Sequence, residues 1–518
     1  MNQSNFLLNE DVQFSLDDRI SGINSNIVLM GEPGCGKTSL MAYNMMHLLD
    51  RSHVVIDIKN KLYALAPYFQ ENGYTVYHFN LVNTSCSDYY NPYQFVQDGD
   101  KQMEDISTIA KYMIGDSFLQ RDEYWENAAN MFVNSALQYT YESMHPKYRY
   151  LDKTIELLRL MSMQGKNDRS FDFNTGGMMP SDPFKYLIEL KDKIEDKSSY
   201  STSLYELAIN NAKETLACVQ NVMHTHLYRF YTPSVIRLFS KNGIDFRSFL
   251  DKKTIIFIGL KDYDTSLHTT CAMFLTQLFQ FLFRSADQLK SGRLPIPVQF
   301  WLDDFGSYKI TDFASLIANG RSRGIGMTIG FHSLGQINKT YGEFDAQTIL
   351  QCCSTMLFFG GDDMDGVQLV HNKTGLDSVY INDLPKRNVI FMQRGKESIV
   401  TKIYDISKEP KYGYWNYEAK DSFKHKKLEE DPIKKTEESF DIEKKINEIK
   451  LGNYEEQVPF PLYELHPLIK FIQKKKEKVE SMYKDFSGID PYETYNDYDH
   501  SFYANRRRRI LYEKKKYK

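Results

Sequence analysis

Eight consecutive residues, Gly31-Glu32-Pro33-Gly34-Cys35-Gly36-Lys37-Thr38, have the spacing of a phosphate-binding loop. Glycines in such a loop let successive backbone N–H groups turn toward an anion, and a helix beginning at the lysine adds the positive potential of its N-terminus. There Lys37 would reach the β- and γ-phosphates of ATP, Thr38 would offer its hydroxyl to Mg²⁺, and Ser39 would assist neighbouring phosphate oxygens, with Cys35 a small filler. A chance glycine turn is the bland alternative. An apolar run before the loop (Asn26–Met30) and a helical stretch after it (Lys37–Leu49) favour the functional one.

A nucleotide site of this kind needs a second half, an apolar strand that ends in acid. Val298-Gln299-Phe300-Trp301-Leu302-Asp303-Asp304 has that form. Asp303 is the expected Mg²⁺ residue. Asp304 stands where such ATPases usually place a glutamate to polarise the attacking water, with the right charge on a shorter arm. Acidic residues also commonly follow buried strands as simple polar ends. Further on, Asn319-Gly320-Arg321-Ser322-Arg323-Gly324 closes a helical stretch ahead of another strand, Gly326–Gly330, and His332 follows that strand. An arginine at such a helix end can stabilise γ-phosphate charge on a neighbouring subunit. Arg321 is the first candidate and Arg323 the second, against the ordinary reading of arginines that bind helix-end carbonyls or solvent.

The elements that must hold these residues alternate. Strand-like runs at His53–Ile58 and Tyr74–Phe79 flank a helical segment, Lys61–Asn72, which Gly73 closes. From residue 98 to 212 the texture is helical, as in Trp125, Ala129, Phe132, Ala136 and Tyr139. Strands return at Thr254–Ile258, Pro297–Leu302, Gly326–Gly330 and Thr355–Phe359. The pattern predicts an α/β domain of mainly parallel sheet in two parts, 1–97 and 213–413, an all-α insertion at 98–212, and a charged C-terminal extension at 414–518. That extension ends in Arg506 to Arg509 and Lys514 to Lys518, a basic tail that reads as phosphate- or membrane-tracking, or as an ordinary solvated end.

A chain of 518 residues suggests two or three domains. Its net charge of −4 gives no global attraction to phosphate backbones, so any nucleic-acid contact must be local. Six cysteines without paired spacing exclude a disulfide scaffold and point to a reducing compartment. His224, His226 and His268 have no metal spacing. The best apolar run, Cys271–Phe283, is broken by Thr276, Gln277 and Gln280 and is too short to span a bilayer. The first residues lack the basic and apolar regions of a signal peptide.

Together the motifs resemble the TraG/TraD-type coupling ATPases of conjugation and type IV secretion, relatives of the FtsK/HerA motors. The resemblance covers most of residues 20–415. It rests on the phosphate loop, Val54-Val55-Ile56-Asp57-Ile58-Lys59 with Leu62-Tyr63, Gly73-Tyr74-Thr75-Val76, Tyr90-Asn91-Pro92, Tyr124-Trp125-Glu126, the Asp303-Asp304 strand, and Arg321-Ser322-Arg323-Gly324-Ile325. It implies a RecA-like motor with an inserted all-α domain, assembled as a hexamer around a DNA channel, with Arg321 at the family's trans-acting arginine. Such proteins bring relaxase-bound, single-stranded DNA to the proteins of the secretion channel and hydrolyse ATP.

Three departures stand out. Family members usually begin with transmembrane helices, whereas this sequence begins near the phosphate loop, so a cytoplasmic protein recruited to the inner face of the membrane by a separate anchor protein is expected. His332 replaces the glutamine that senses γ-phosphate, and its charge would depend on pH. Asn60-Lys61 replaces Gly-Glu. With Asp304, these keep open an ATP-binding substrate receptor with little hydrolysis, alongside a DNA-packaging or segregation motor of the FtsK/HerA group.

Overall fold

The computed structural model describes residues 4–414 except 59, 115–122, 145, 147–148, 162–187, 189–190, 192–198 and 210–212. The charged C-terminal extension and its basic tail lie outside the described residues. Two compact units are present: among the described residues, those within 91–241 form one, and those within 4–90 and 242–414 form the other. The helical unit is thus wider than the 98–212 expected from composition.

Nine strands build the larger unit's sheet: β3 (Ile27–Met30), β4 (Ser52–Ile58), β5 (Thr75–Asn80), β6 (Thr254–Leu260), β7 (Val298–Leu302), β8 (Ile325–Phe331), β9 (Thr355–Phe358), β10 (Asn388–Gln393) and β11 (Ile399–Lys402). A separate hairpin pairs β1 (Asn5–Leu7) with β2 (Gln13–Ser15). The order is β11-β10-β9-β3-β8-β7-β4-β6-β5. The seven strands from β9 to β5 are parallel, and β10 and β11 add antiparallel at one edge. This is the parallel α/β architecture read from the sequence and the RecA-like fold that the resemblance implied.

Central strands such as β3, β4, β6 and β7 are buried at every residue, which is why they read as mostly apolar runs rather than alternating ones. One sheet face packs the helix Lys37–His47, the β1–β2 hairpin and Trp301 into a shared core. Phe6 stacks on Trp301 at 6.3 Å, and Asn44 of the helix exchanges hydrogen bonds with both backbone groups of Leu7. The other face carries the long helix His268–Gln288, whose Phe274 and Phe279 stack on Phe79 and Phe300 at 4.5 and 4.3 Å. Emptying the fully buried Trp301 site with alanine would cost about 3–5 kcal/mol.

The expected helix Lys61–Asn72 is split into a 3₁₀ turn, Leu62–Leu65, and a short α-helix, Ala66–Glu71. Pro67 explains the break, because proline lacks an N–H and is tolerated only in the first turn of an α-helix.

The helical unit is built on Glu123–Ser143, in which Ala129, Phe132, Ala136 and Tyr139 are buried at the predicted spacing. Gln102–Ile114, Tyr200–Ile209 and Lys213–Leu227 pack around it.

Candidate nucleotide site

The order β3-β8-β7 brings three chain segments to neighbouring carboxyl ends of the sheet, with strands about 4.8 Å apart. The phosphate loop leaves β3, His332 leaves β8, and Asp303 and Asp304 leave β7. Residues almost 300 positions apart in sequence therefore meet by topology.

Gly34 and Gly36 have φ of +80° and +111°, a region other residues enter only with strain. A Cβ on Gly36 would also come within 2.8 Å of Ile403. Gly36 caps the helix Lys37–His47 without a side-chain hydrogen bond, so the first-turn N–H groups stay available to an anion. Ser39 sits half-buried in that turn, while Glu32, Pro33 and Gly34 are exposed on the loop. The Glu32 carboxylate accepts from the Asp362 N–H at 3.1 Å across a cleft of about 210 Å³ lined by Pro33, His332, Ser333 and Asp363.

Lys37 is buried at the first helical position. Its Nζ donates to Gly31 O at 2.6 Å and Glu32 O at 3.0 Å, and lies 3.1 Å from His332 Nδ1. Next to it, Thr38 Oγ1 donates to Asp303 Oδ2 at 2.7 Å. Burial pushes the Asp303 carboxyl up; the Thr38 hydrogen bond opposes this and the Asp304 charge adds to it. Gly330 on β8 makes room: a Cβ there would stand 3.3 Å from Asp303 Oδ1 and 2.8 Å from Met41 Cε.

Asp304 adopts φ +49°, which turns its carboxylate back over the site. His332 Nε2 lies 2.7 Å from Asp304 Oδ1. An ammonium facing Nδ1 and a carboxylate facing Nε2 suit a ring that accepts at Nδ1 and donates at Nε2. Lys37, His332 and Asp304 thus form one polar chain, which the motifs did not reveal.

Arg321 is not in this cluster. It precedes β8, whose seven residues put about 20 Å between their ends, so it lies at the amino edge of the sheet. There its Nη2 donates to Gly22 O at 2.8 Å, and its Nε lies 3.7 Å from Asp18 Oδ2. Arg323 is differently placed, forked onto Asp287 at 2.8 and 2.9 Å and stacked over Phe283.

A second buried acid, Asp57 at the end of β4, accepts from the Lys61 and Tyr63 N–H groups at 2.8 and 3.0 Å and holds the following loop. Among the described residues no group of three or more His, Cys, Asp or Glu side chains is placed to hold a metal ion, and no helix is long and apolar enough to cross a membrane.

Solved structures of a plasmid coupling protein share this fold. The plasmid coupling protein TrwB bound to the ATP analogue ADPNP matches with a TM-score of 0.52 at 11% identity, over 73% of this chain and 85% of that one. TrwB lacking its first 70 residues, with sulphate, gives 0.52 at 13% over the same shares, and TrwB with ADP and Mg²⁺ gives 0.50 at 12%, again over 73% and 85%. No individual curated protein matches in sequence. At the level of whole families, the model for type IV secretory system conjugative DNA transfer matches residues 3–388, and this chain belongs to that family.

Proposed function

We propose that the chain is a Mg²⁺-dependent ATPase that recruits relaxase-bound, single-stranded DNA to a type IV secretion channel and drives its transfer as a hexamer. The observation that carries this reading is the convergence of Lys37, Thr38 and Asp303 on one helix N-terminus. That TrwB binds ADPNP, and ADP with Mg²⁺, supports the same ligands here.

The hydroxyl–carboxylate pair of Thr38 and Asp303 is a hard oxygen donor set suited to Mg²⁺, which would neutralise β- and γ-phosphate charge. Lys37 exchanges the loop carbonyls it now contacts for phosphate oxygens, and the free first-turn N–H groups complete the cradle. Asp304 is the residue that polarises the attacking water, and His332 links it to Lys37, so that the lysine's move onto phosphate is felt at the carboxylate. Arg321, out of reach of its own phosphate loop, serves the neighbouring copy. Arg323, already neutralised by Asp287, anchors the turn.

A second reading, an ATP-binding receptor with slow turnover, is favoured by one contact. His332 holds one of the two Asp304 carboxylate oxygens with which water could be activated.

Turnover of the full-length protein with and without single-stranded DNA separates the two. DNA-stimulated hydrolysis that Lys37→Ala removes is the motor result. Hydrolysis indifferent to both DNA and that substitution refutes it, and six-fold rings with a non-hydrolysable analogue would test the assembly.

A further inference from the structure

The amino edge of the sheet holds a charged cleft of about 170 Å³, of which the functional reading uses only Arg321. Two other residues there are arranged around it. Asp18 lies in the four-residue helix Asp18–Ser21, which ends at Gly22 in the left-handed conformation. This one short segment supplies both contacts of Arg321, the Asp18 carboxylate and the Gly22 carbonyl.

Arg293 grips the same carboxylate with both terminal nitrogens, Nη1 to Oδ2 at 3.2 Å and Nη2 to Oδ1. It also lies flat over the backbone that follows Arg321. Its Nη1 is 3.4 Å from Arg321 O, and a Cβ on Gly324 would come within 3.1 Å of its Nε.

Two guanidiniums thus share one carboxylate, and they share it unequally. The closer contacts of Arg293 take up most of the Asp18 charge. Arg321, at 3.7 Å, is oriented without being neutralised. Exposure agrees: the Asp18 and Arg293 side chains are 14% and 21% exposed and that of Arg321 47%. An arginine that must meet developing phosphate charge needs this combination, since a full ion pair would cancel its field and a loose side chain would lose rate to disorder.

We propose that Asp18 is a positioning residue for Arg321, braced by Arg293, and that the three form the half-site each copy lends to its neighbour. This rests on the reading of Arg321 as acting in trans.

The test mixes full-length chains. A Lys37→Ala chain keeps Arg321 but has a damaged phosphate loop, and an Arg321→Ala chain is its complement. Each alone should hydrolyse ATP poorly, and the mixture should regain turnover. Asp18→Asn added to the Lys37→Ala chain should cut the regained rate roughly tenfold, the size of one charged hydrogen bond. The same change in the Arg321→Ala chain should add no loss, and Asp18→Glu in the Lys37→Ala chain should recover part of the rate. Gly324→Ala, which displaces Arg293, attacks the brace from its other side and should act with the same direction if Asp18→Asn folds poorly. Equal losses whichever chain carries the change would mean a merely structural role, and no loss in either would also overturn the proposal. Failure of the two single variants to complement at all sinks the trans reading itself.

Discussion

The two edges of the central sheet carry charge in opposite ways. At the carboxyl edge, buried acids and a buried lysine meet within one chain: Thr38 touches Asp303, and His332 bridges Lys37 to Asp304. At the amino edge, the arginine of interest is half-exposed and faces outward from a braced ion pair. The first arrangement has the parts to bind a nucleotide by itself. The second has a cation held ready and no phosphate loop within reach, so under the proposed assembly one copy would supply binding and the next copy the missing charge.

Lys37→Ala should break the first half most severely. It removes the one ammonium at the loop, so nucleotide affinity and turnover should fall together, turnover by about 10⁴-fold given that a single trans guanidinium accounts for about 10³. Fluorescent-nucleotide titration and phosphate release measure both. Arg321→Ala should instead leave affinity intact and lower turnover by about 10³-fold. Equal loss of affinity in the two variants would erase the division of labour between the edges.

A smaller effect, of opposite sign, is expected where the carboxyl edge departs from its family. His332→Gln frees Asp304 from a 2.7 Å contact, and Asp304→Glu lengthens the arm that must reach water. On the slow-turnover reading either should raise single-stranded-DNA-dependent turnover by roughly three- to tenfold, a fraction of what a well-placed general base contributes. A further fall in rate would show that the histidine–aspartate contact assists hydrolysis.

How much of this was legible in the sequence follows from how local each signal is. β3, β4, β7 and β8 stood out because strands buried on both faces are mostly apolar, and the loop, Lys37, Thr38 and Asp303 lie directly at the ends of two of them. The β1–β2 hairpin escaped because three-residue strands have no period to detect. β10 and β11 escaped because β11 is four residues long and mostly exposed, although Arg394-Gly395 between them was a usable turn signal. The links His332–Asp304 and Asp18–Arg321 join residues 28 and 303 positions apart, and no spacing rule anticipates them.

A last expected effect, on stability rather than rate, separates the edges by pH. Asp57 is buried at the end of β4, and burial pushes its carboxyl up to about 7, with backbone hydrogen bonds from Tyr63 and Lys61 opposing and the Asp303 charge adding. Its folded value lies above its unfolded one, so the fold holds the extra proton between about pH 4 and 7. The stability this contributes is complete below pH 4 and is lost as pH rises through about 7. Asparagine cannot ionise, but it points an amide N–H at one of the two backbone donors. At pH 5, Asp57→Asn should therefore melt below the parent. At pH 8 the parent bears a buried charge that the variant lacks, and the deficit should shrink or reverse, a swing on the order of 1–3 kcal/mol. Asp18→Asn at the amino edge, which gives up the ion pair with Arg293, is the reference variant. Thermal melts of both variants at the two pH values, without nucleotide, make the measurement. A pH-independent deficit for Asp57→Asn would mean the carboxyl edge stores no buried charge, and the two ends of the sheet would then differ in geometry alone.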